Sequence, residues 1–266
     1  MVNKGAGHTE EPVTAPSGGD GATSGGAPNR ALTAQRTPSF LLARPERRLL
    51  QAIARRLPAF VLPDHLTALG VVSALGTFTA YVLSNQGRGW LWVASALLVV
   101  HWLGDSLDGT LARVRRIERP RYGYYLDHLV DAGSTVAVGI GLGLSPYMLL
   151  SVGALIVVAY LVLSINVYLE SYALERFSIG YARLGPTEVR ILLVAVNTWL
   201  ALGPQLHFSL LGFALTPLDV LGLGLAGTMM ALVVGRARHN LAALAKAEPA
   251  SRHRGDGSMA AAMGGD

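Results

Sequence analysis

Six long apolar segments constrain this chain more than any other feature of its sequence. They cover residues 66–84, 89–104, 124–144, 148–168, 189–202 and 218–234. A bilayer core requires about 20 residues of apolar helix, and it admits only helices or closed barrels, because every backbone polar group must be satisfied internally. The second and fifth segments are short, but each can extend into its flank. We therefore predict an all-α integral membrane protein with six transmembrane helices.

Composition supports a membrane protein. Hydrophobic residues make up 51% of the 266 and charged residues only 15%, against roughly 25% charged in soluble globular domains. The chain has no cysteine, which excludes disulfides and thiolate ligands for zinc. Its net charge of +5 does not indicate a nucleic-acid partner, because the basic residues flank apolar segments, as is typical of membrane topology signals.

Both ends of the chain are predicted to lie outside the membrane domain. Residues 1–44 are rich in small and polar residues without a periodic apolar face, so we expect a disordered tail. This tail also lacks the apolar core of a signal peptide. Residues 45–240 form the predicted membrane domain, and residues 241–266 a second disordered tail.

An amphipathic helix is predicted at 45–57, between the first tail and the first span. One face carries Leu49, Leu50, Ile53 and Leu57, and the remainder carries Arg47, Arg48, Arg55 and Arg56. Such a helix lies on an anionic membrane surface, or it docks on the surface of the protein itself. The two interpretations are compatible.

The basic residues predict the orientation in the membrane. All 22 except Arg88 lie in the N-terminal region, the loops 113–121 and 176–190, or the tail from Arg236. Because positive loops stay on the cytoplasmic side, six spans place both termini and these loops in the cytoplasm. We therefore predict a multi-pass protein of the cytoplasmic membrane.

Four aspartates are the strongest sign of chemistry. Asp105 and Asp108 are three residues apart at the end of the second span, and Asp127 and Asp131 are four apart at the start of the third. Each pair shares one helical face, and antiparallel helices bring the two pairs together. Carboxylates within a membrane need a compensating charge, and a hard divalent cation prefers oxygen ligands. The pattern predicts a metal site just below the cytoplasmic interface.

The full pattern is D-x-x-D-G-x-x-A-R-x9-G-x-x-x-D-x-x-x-D, running from Asp105 to Asp131. It resembles the signature of the CDP-alcohol phosphotransferases, which are membrane enzymes of phospholipid synthesis. Six spans with an N-terminal amphipathic helix also fit that family. The resemblance covers about residues 45–238 and leaves both tails outside.

The resemblance implies a role for each matching residue. Asp105, Asp108 and Asp127 would bind divalent metal, as two ions of Mg²⁺ or Mn²⁺, while Asp131 would complete the site and act as general base. The CMP part of the donor would be framed by Gly109, Ala112, Arg113 and Gly123. Thr67, in a segment similar to the family's Pro-Asn-x-x-Thr, would touch the nucleotide. Asp64 departs from the Asn of that segment.

Other residues leave two interpretations open. Arg113 either pairs with an aspartate or contacts phosphate. Glu188 and Arg190 either contact the acceptor or a phosphate, or belong to the start of the fifth helix, which Thr187 and Glu188 would cap. Gly139 and Gly143 permit close helix packing. The family is commonly dimeric through membrane helices, so a homodimer is expected.

These observations lead to one main function and its rivals. The first is phosphatidyl transfer from CDP-diacylglycerol to a small alcohol, with release of CMP. The second reverses the roles, so that CDP-choline or CDP-ethanolamine donates to diacylglycerol, and a short likeness at Thr187–Glu188 favours it. A cation-coupled transporter would carry acidic residues near the membrane midplane. A scaffold without catalysis would have lost some of the aspartates.

Overall fold

The computed structural model describes residues 43–174, 185–204, 206–210 and 213–248. Of the predicted tails at 1–44 and 241–266, residues 1–42 and 249–266 lie outside the described residues. In chain order the elements are α1 (Ala43–Arg56), α2 (Pro63–Leu83), α3 (Trp90–Arg115), α4 (Pro120–Gly143), α5 (Leu150–Ala173), α6 (Pro186–Leu202), β1 (Phe208–Leu210), β2 (Phe213–Leu215) and α7 (Pro217–Ala247).

Four of these helices, α2, α3, α5 and α7, are long and apolar enough to cross a membrane. Helix α6 has only 17 residues. Helix α4 is 24 residues long, but its first half carries Arg121, Asp127 and Asp131. The described part of the chain is thus an all-α membrane bundle apart from the short antiparallel β1–β2 hairpin, which the sequence did not predict.

Two glycines set the distance between α2 and α3. A Cβ atom on Gly104 would lie 2.6 Å from the Leu66 carbonyl oxygen and 2.8 Å from the Gly70 backbone nitrogen. Both contacts are with backbone, which cannot move aside as a flexible side chain can. The two backbones therefore meet at this crossing, in the manner of small-residue contacts between membrane helices.

Helix α4 packs between α2 and α5, also through glycines. A Cβ on Gly141 would lie 2.8 Å from the Phe78 Cα of α2. Gly139 and Gly143 face α5, where a Cβ on Gly153 would lie 2.7 Å from the Gly139 carbonyl oxygen. The pair predicted to permit close helix packing therefore does so within the chain. It offers no surface for the expected homodimer, which remains a prediction.

Polar side chains buried among the helices are bonded to one another. The Tyr81 hydroxyl donates to Asn197 Oδ1 at 3.0 Å, and Asn197 Nδ2 donates to the Ser95 hydroxyl at 3.2 Å. These bonds join α2, α6 and α3 inside the bundle. A buried polar group without a partner is costly, so the network favours one alignment of the three helices.

Helix α7 is fixed to α5 at both ends. Asp219, fully buried, accepts hydrogen bonds from the Leu149 backbone N–H at 2.7 Å and the Thr216 hydroxyl at 2.9 Å. Toward the other end, Arg236 donates to the Glu170 carboxylate at 2.7 Å. Glu170 therefore anchors α5 to α7.

Three helix boundaries differ from the sequence-based expectation. Helix α3 continues through the aspartate motif to Arg115, and it ends with Arg116 in the left-handed region at φ 58°. Helix α4 begins at Pro120, whose fixed φ suits a first helical turn. Helix α7 runs to Ala247, past the boundary expected at 240, because residues 241–247 are mostly Ala and Leu, which favour helix.

Gly104→Ala tests the α2–α3 crossing. The added methyl group meets backbone atoms of two α2 residues. We therefore expect the free energy of unfolding to fall by about 1–3 kcal/mol, which is typical of overpacking, and the melting temperature in detergent to be lower. Gly227→Ala in α7 is the matched control, because a Cβ there meets nothing within 4 Å. An unchanged melting temperature in Gly104→Ala would contradict the close crossing.

Candidate functional site

The four aspartates lie at one end of the bundle, where α3 ends and α4 begins. Asp108 stands closest to α2, and its Oδ2 atom accepts a hydrogen bond of 2.6 Å from the Thr67 hydroxyl. The charges of Asp105 and Asp127 both act on the Asp108 carboxylate. Thr67, only 8% exposed, lies one turn before the Gly70–Gly104 crossing. The crossing thus brings Thr67 of α2 to Asp108 of α3.

Asp105 pairs with α6. The Arg190 guanidinium donates to Asp105 Oδ2 at 2.7 Å, and the two side chains are only 14% and 18% exposed. An ion pair shielded from water in this way is stronger than a surface pair. Arg190, a candidate phosphate contact in the sequence, is therefore part of the aspartate cluster.

The carboxylates suit a hard divalent cation in their chemistry, since all four offer oxygen ligands. Among the described residues, however, no group of three or more carboxylate or imidazole side chains is close enough to form a ready metal site. The observed compensating charge at Asp105 is Arg190. The structure therefore places oxygen donors suited to a divalent cation near the end of α3 and the start of α4. In the described residues, these donors do not converge on one point as the ligands of a bound ion do.

Asp131 lies beside α5. It lines a cleft of about 230 Å³ together with Tyr160, Ser164 and Tyr168, and apolar side chains form most of the remaining wall. The cleft places polar groups of α5 opposite the residue predicted to act as general base. A substrate that binds at Asp131 would therefore meet α5 as well as the aspartate helices.

Gly109 and Arg113 belong to one local arrangement. A Cβ on Gly109 would lie 3.3 Å from an Arg113 guanidinium nitrogen, and that guanidinium donates to the Thr110 hydroxyl at 3.2 Å. The missing side chain at Gly109 thus makes room for Arg113. Ala112, one residue earlier and half-buried, keeps the same turn small.

Gly123 lies within the first turn of α4, not before the helix as its sequence position suggested, because the helix already begins at Pro120. A Cβ at Gly123 would meet nothing within 4 Å. The entry to α4 is held from outside by an ion pair between Arg119 and Asp64, and the hydrogen bond from Asp64 raises the pKa of the Arg119 guanidinium. Asp64 therefore ties the start of α2 to the start of α4.

The start of α6 has structural partners. Glu188 accepts a hydrogen bond of 2.9 Å from the Gly185 backbone N–H, as a capping carboxylate does. Thr187 does not cap its own helix, because its hydroxyl donates to Glu46 of α1 at 2.9 Å. Arg190 differs from these two residues, because its side chain contacts one of the four aspartates, Asp105.

One structural residue escaped the sequence analysis. The Arg115 guanidinium donates to carbonyl oxygens along the α1–α2 connection, including Leu57 at 3.0 Å and Pro58 at 2.7 Å. In the sequence it is one of several arginines after the motif and carries no separate signal. Arg115 lies two residues after Arg113. The last turn of α3 therefore carries both the motif arginine and the arginine that binds the α1–α2 connection.

The sequence model of the CDP-alcohol phosphatidyltransferase family matches residues 60–239. The chain belongs to this family. Its members are transferases of substituted phosphate groups in phospholipid biosynthesis, and they are generally dependent on divalent metal. A search of curated proteins gave no match. Residues 60–239 include every element from α2 to most of α7, so the aspartate end of the bundle lies inside the matched region.

Thr67→Val tests the contact between α2 and the CDP-alcohol phosphatidyltransferase motif. Valine keeps the shape of the side chain but leaves Asp108 Oδ2 without its hydrogen-bond donor. We therefore expect the free energy of unfolding to fall by about 1–3 kcal/mol and CMP release to be slower. Thr67→Ser keeps the hydroxyl and is the control. Equal melting temperatures and rates in the valine and serine variants would show that the hydrogen bond has no role.

Proposed function

We propose that this chain transfers a phosphatidyl group from CDP-diacylglycerol to a small alcohol, with release of CMP. Family membership supports phosphatidyl transfer from a CDP-alcohol in general. The observation that carries the finer proposal is the complete set of motif residues on the facing ends of α3 and α4, with Asp108 bonded to Thr67. No position of the motif is lost, which argues against a scaffold without catalysis.

The residues that would hold divalent metal are Asp105, Asp108, Asp127 and Asp131. A bound Mg²⁺ or Mn²⁺ pair would neutralise charge on the phosphate oxygens. Thr67 orients the Asp108 carboxylate through its hydroxyl, and Arg190 holds that of Asp105. The two α3 carboxylates are thus each held by a neighbouring helix, one by α2 and the other by α6. Side chains held in this way are pre-organised for binding and catalysis.

We assign the proton transfer to Asp131. The acceptor hydroxyl oxygen attacks the phosphorus that bears diacylglycerol, the bond to the CMP oxygen breaks, and the hydroxyl proton passes to the Asp131 carboxylate. The cleft beside Asp131 reaches α5, so it has room for an acceptor on that side. CMP would lie against Gly109, Ala112, Arg113 and the open surface at Gly123.

The CDP-choline or CDP-ethanolamine alternative keeps the same chemistry with a different donor. Its support was the likeness at Thr187–Glu188, but Thr187 hydrogen-bonds Glu46 and Glu188 hydrogen-bonds Gly185. Both side chains thus have structural partners, so the likeness carries little weight. A transporter is disfavoured because the aspartates lie at one end of the bundle and the family is enzymatic.

We also propose that all six helices from α2 to α7 cross the membrane, with α1 on its surface. At about 1.5 Å per residue, α6 spans about 25 Å and α4 about 36 Å, close to a hydrocarbon core of about 30 Å. Arg88 alone among the basic residues of the chain follows α2 at the far end. This asymmetry supports an orientation with the site and both termini in the cytoplasm.

Asp131→Asn tests the proposed base. The amide cannot accept the proton, so we expect CMP release to fall at least about a hundredfold, while CMP binding, measured calorimetrically with Mn²⁺, stays close to wild type. Asp64→Asn is the control, because it introduces the residue usual in the family and should retain turnover. Substantial turnover in Asp131→Asn would remove Asp131 as base.

A donor and acceptor panel tests the substrate assignment. Purified protein in proteoliposomes is supplied with CDP-diacylglycerol, CDP-choline or CDP-ethanolamine, each with inositol phosphate, glycerol phosphate, serine or diacylglycerol. We expect metal-dependent CMP release from CDP-diacylglycerol with one of the alcohols, and EDTA should abolish it. Release from a CDP-aminoalcohol alone, with diacylglycerol as acceptor, would support the alternative instead.

A further inference from the structure

Glu46 of α1 joins two helices that carry site residues. A single carboxylate oxygen, Oε1, accepts a hydrogen bond of 3.0 Å from the Trp102 indole N–H of α3 and one of 2.9 Å from the Thr187 hydroxyl of α6. The three side chains form a junction between α1, α3 and α6, which we call the Glu46 junction.

The junction lies one turn from the Asp105–Arg190 ion pair on both helices. Trp102 precedes Asp105 by three residues, and Thr187 precedes Arg190 by three. Residues three apart share a helical face, so on each of the two helices the Glu46 contact and the ion pair lie on the same side, one turn apart. Movement of Thr187 away from Glu46 would carry the first turn of α6, and with it Arg190, away from Asp105.

We propose that Glu46 is a positioning residue, which sets the first turn of α6 against α3 and thereby holds Arg190 on Asp105. Helix α1 is then part of the active site's support and not only a membrane anchor. The expected effect of Glu46 on turnover rests on the proposed function. Its effect on the position of the first turn of α6 does not.

Helix α1 is itself fixed well enough to act in this way. Leu50 and Ala54 are buried against Leu66 of α2 and Leu107 and Leu111 of α3. Arg115 of α3 binds the carbonyl oxygens just after α1. The Glu46 carboxylate therefore projects from a helix held on both sides of the connection, and it contacts the first turn of α6 through Thr187.

A second explanation for Glu46 must be separated from this one. An acidic residue in the first turn of a helix interacts favourably with the helix dipole, and Glu46 lies in the first turn of α1. That role depends on charge and is filled equally by Asp. The Glu46 junction depends on the reach of the side chain and on an oxygen acceptor, which Gln retains and the shorter Asp loses.

The test compares Glu46→Gln, Glu46→Asp and Glu46→Ala in proteoliposomes, using the donor and acceptor pair with the highest CMP release in the wild type. We expect Gln to retain kcat/KM within about twofold, and Asp and Ala to lose about tenfold, as displaced catalytic groups do. Arg47→Ala, an exposed neighbour on α1, is the matched control. The proposal would be overturned if kcat/KM fell in Glu46→Gln but was retained in Glu46→Asp, or if it did not fall in Glu46→Ala.

The partner Thr187 supplies a reciprocal test. Thr187→Val should lose activity like Glu46→Ala, Thr187→Ser should retain it, and the double variant Glu46→Ala with Thr187→Val should be no worse than either single one. Residues that act through one bond are non-additive in this way. Additive losses would show that the two side chains act separately and would overturn the proposal.

A measurement without turnover separates this inference from the proposed function. The chain has no cysteine, so Val189→Cys, half exposed in the first turn of α6, carries a single spin label. We expect higher label mobility with Glu46→Ala than with Glu46→Gln. If the wild type releases no CMP from any donor, the proposed function fails, whereas equal mobility in both variants overturns the Glu46 junction.

Discussion

The backbone contact between α2 and α3 is the constraint on which the rest of the site depends. Gly104 has no room for a side chain, because its Cβ position is filled by backbone of α2. One turn toward the aspartate end, the same proximity lets the short hydroxyl of Thr67 reach Asp108. A wider crossing would leave the partly buried Oδ2 atom of Asp108 without the Thr67 donor, which is unfavourable. Packing and site chemistry are therefore set by one pair of glycines.

The charge of Asp105 is balanced within the protein. Arg190 donates to its Oδ2 atom from α6, so the guanidinium and a divalent ion held by Asp105 would act on the same carboxylate. The planar donors of a guanidinium at this position would also suit a phosphate. Arg190 thus links the position of α6 to whatever cation or anion occupies the end of α3.

Much of this arrangement was predictable from the sequence. The apolar segments predicted the helices, and the spacing of Asp105 and Asp108 predicted their shared face, because both follow from the helical period. The family resemblance to CDP-alcohol phosphotransferases was confirmed. Sequence did not predict the role of Gly104, since a glycine in an apolar segment looks the same whether its missing side chain would point into open space, as at Gly227, or into a neighbouring backbone.

The arginines show the same limit more clearly. Counting them predicted an orientation, because topology follows the number of Lys and Arg residues in each loop. The count does not distinguish Arg115, which binds backbone carbonyls, from Arg119 or Arg190, which pair with different aspartates. These partners are far apart in the sequence and meet only after α1, α2 and α6 have packed on α3. Arginines of two loops therefore close helix connections and enter the site, and only the tertiary structure separates these roles from their shared contribution to the predicted orientation.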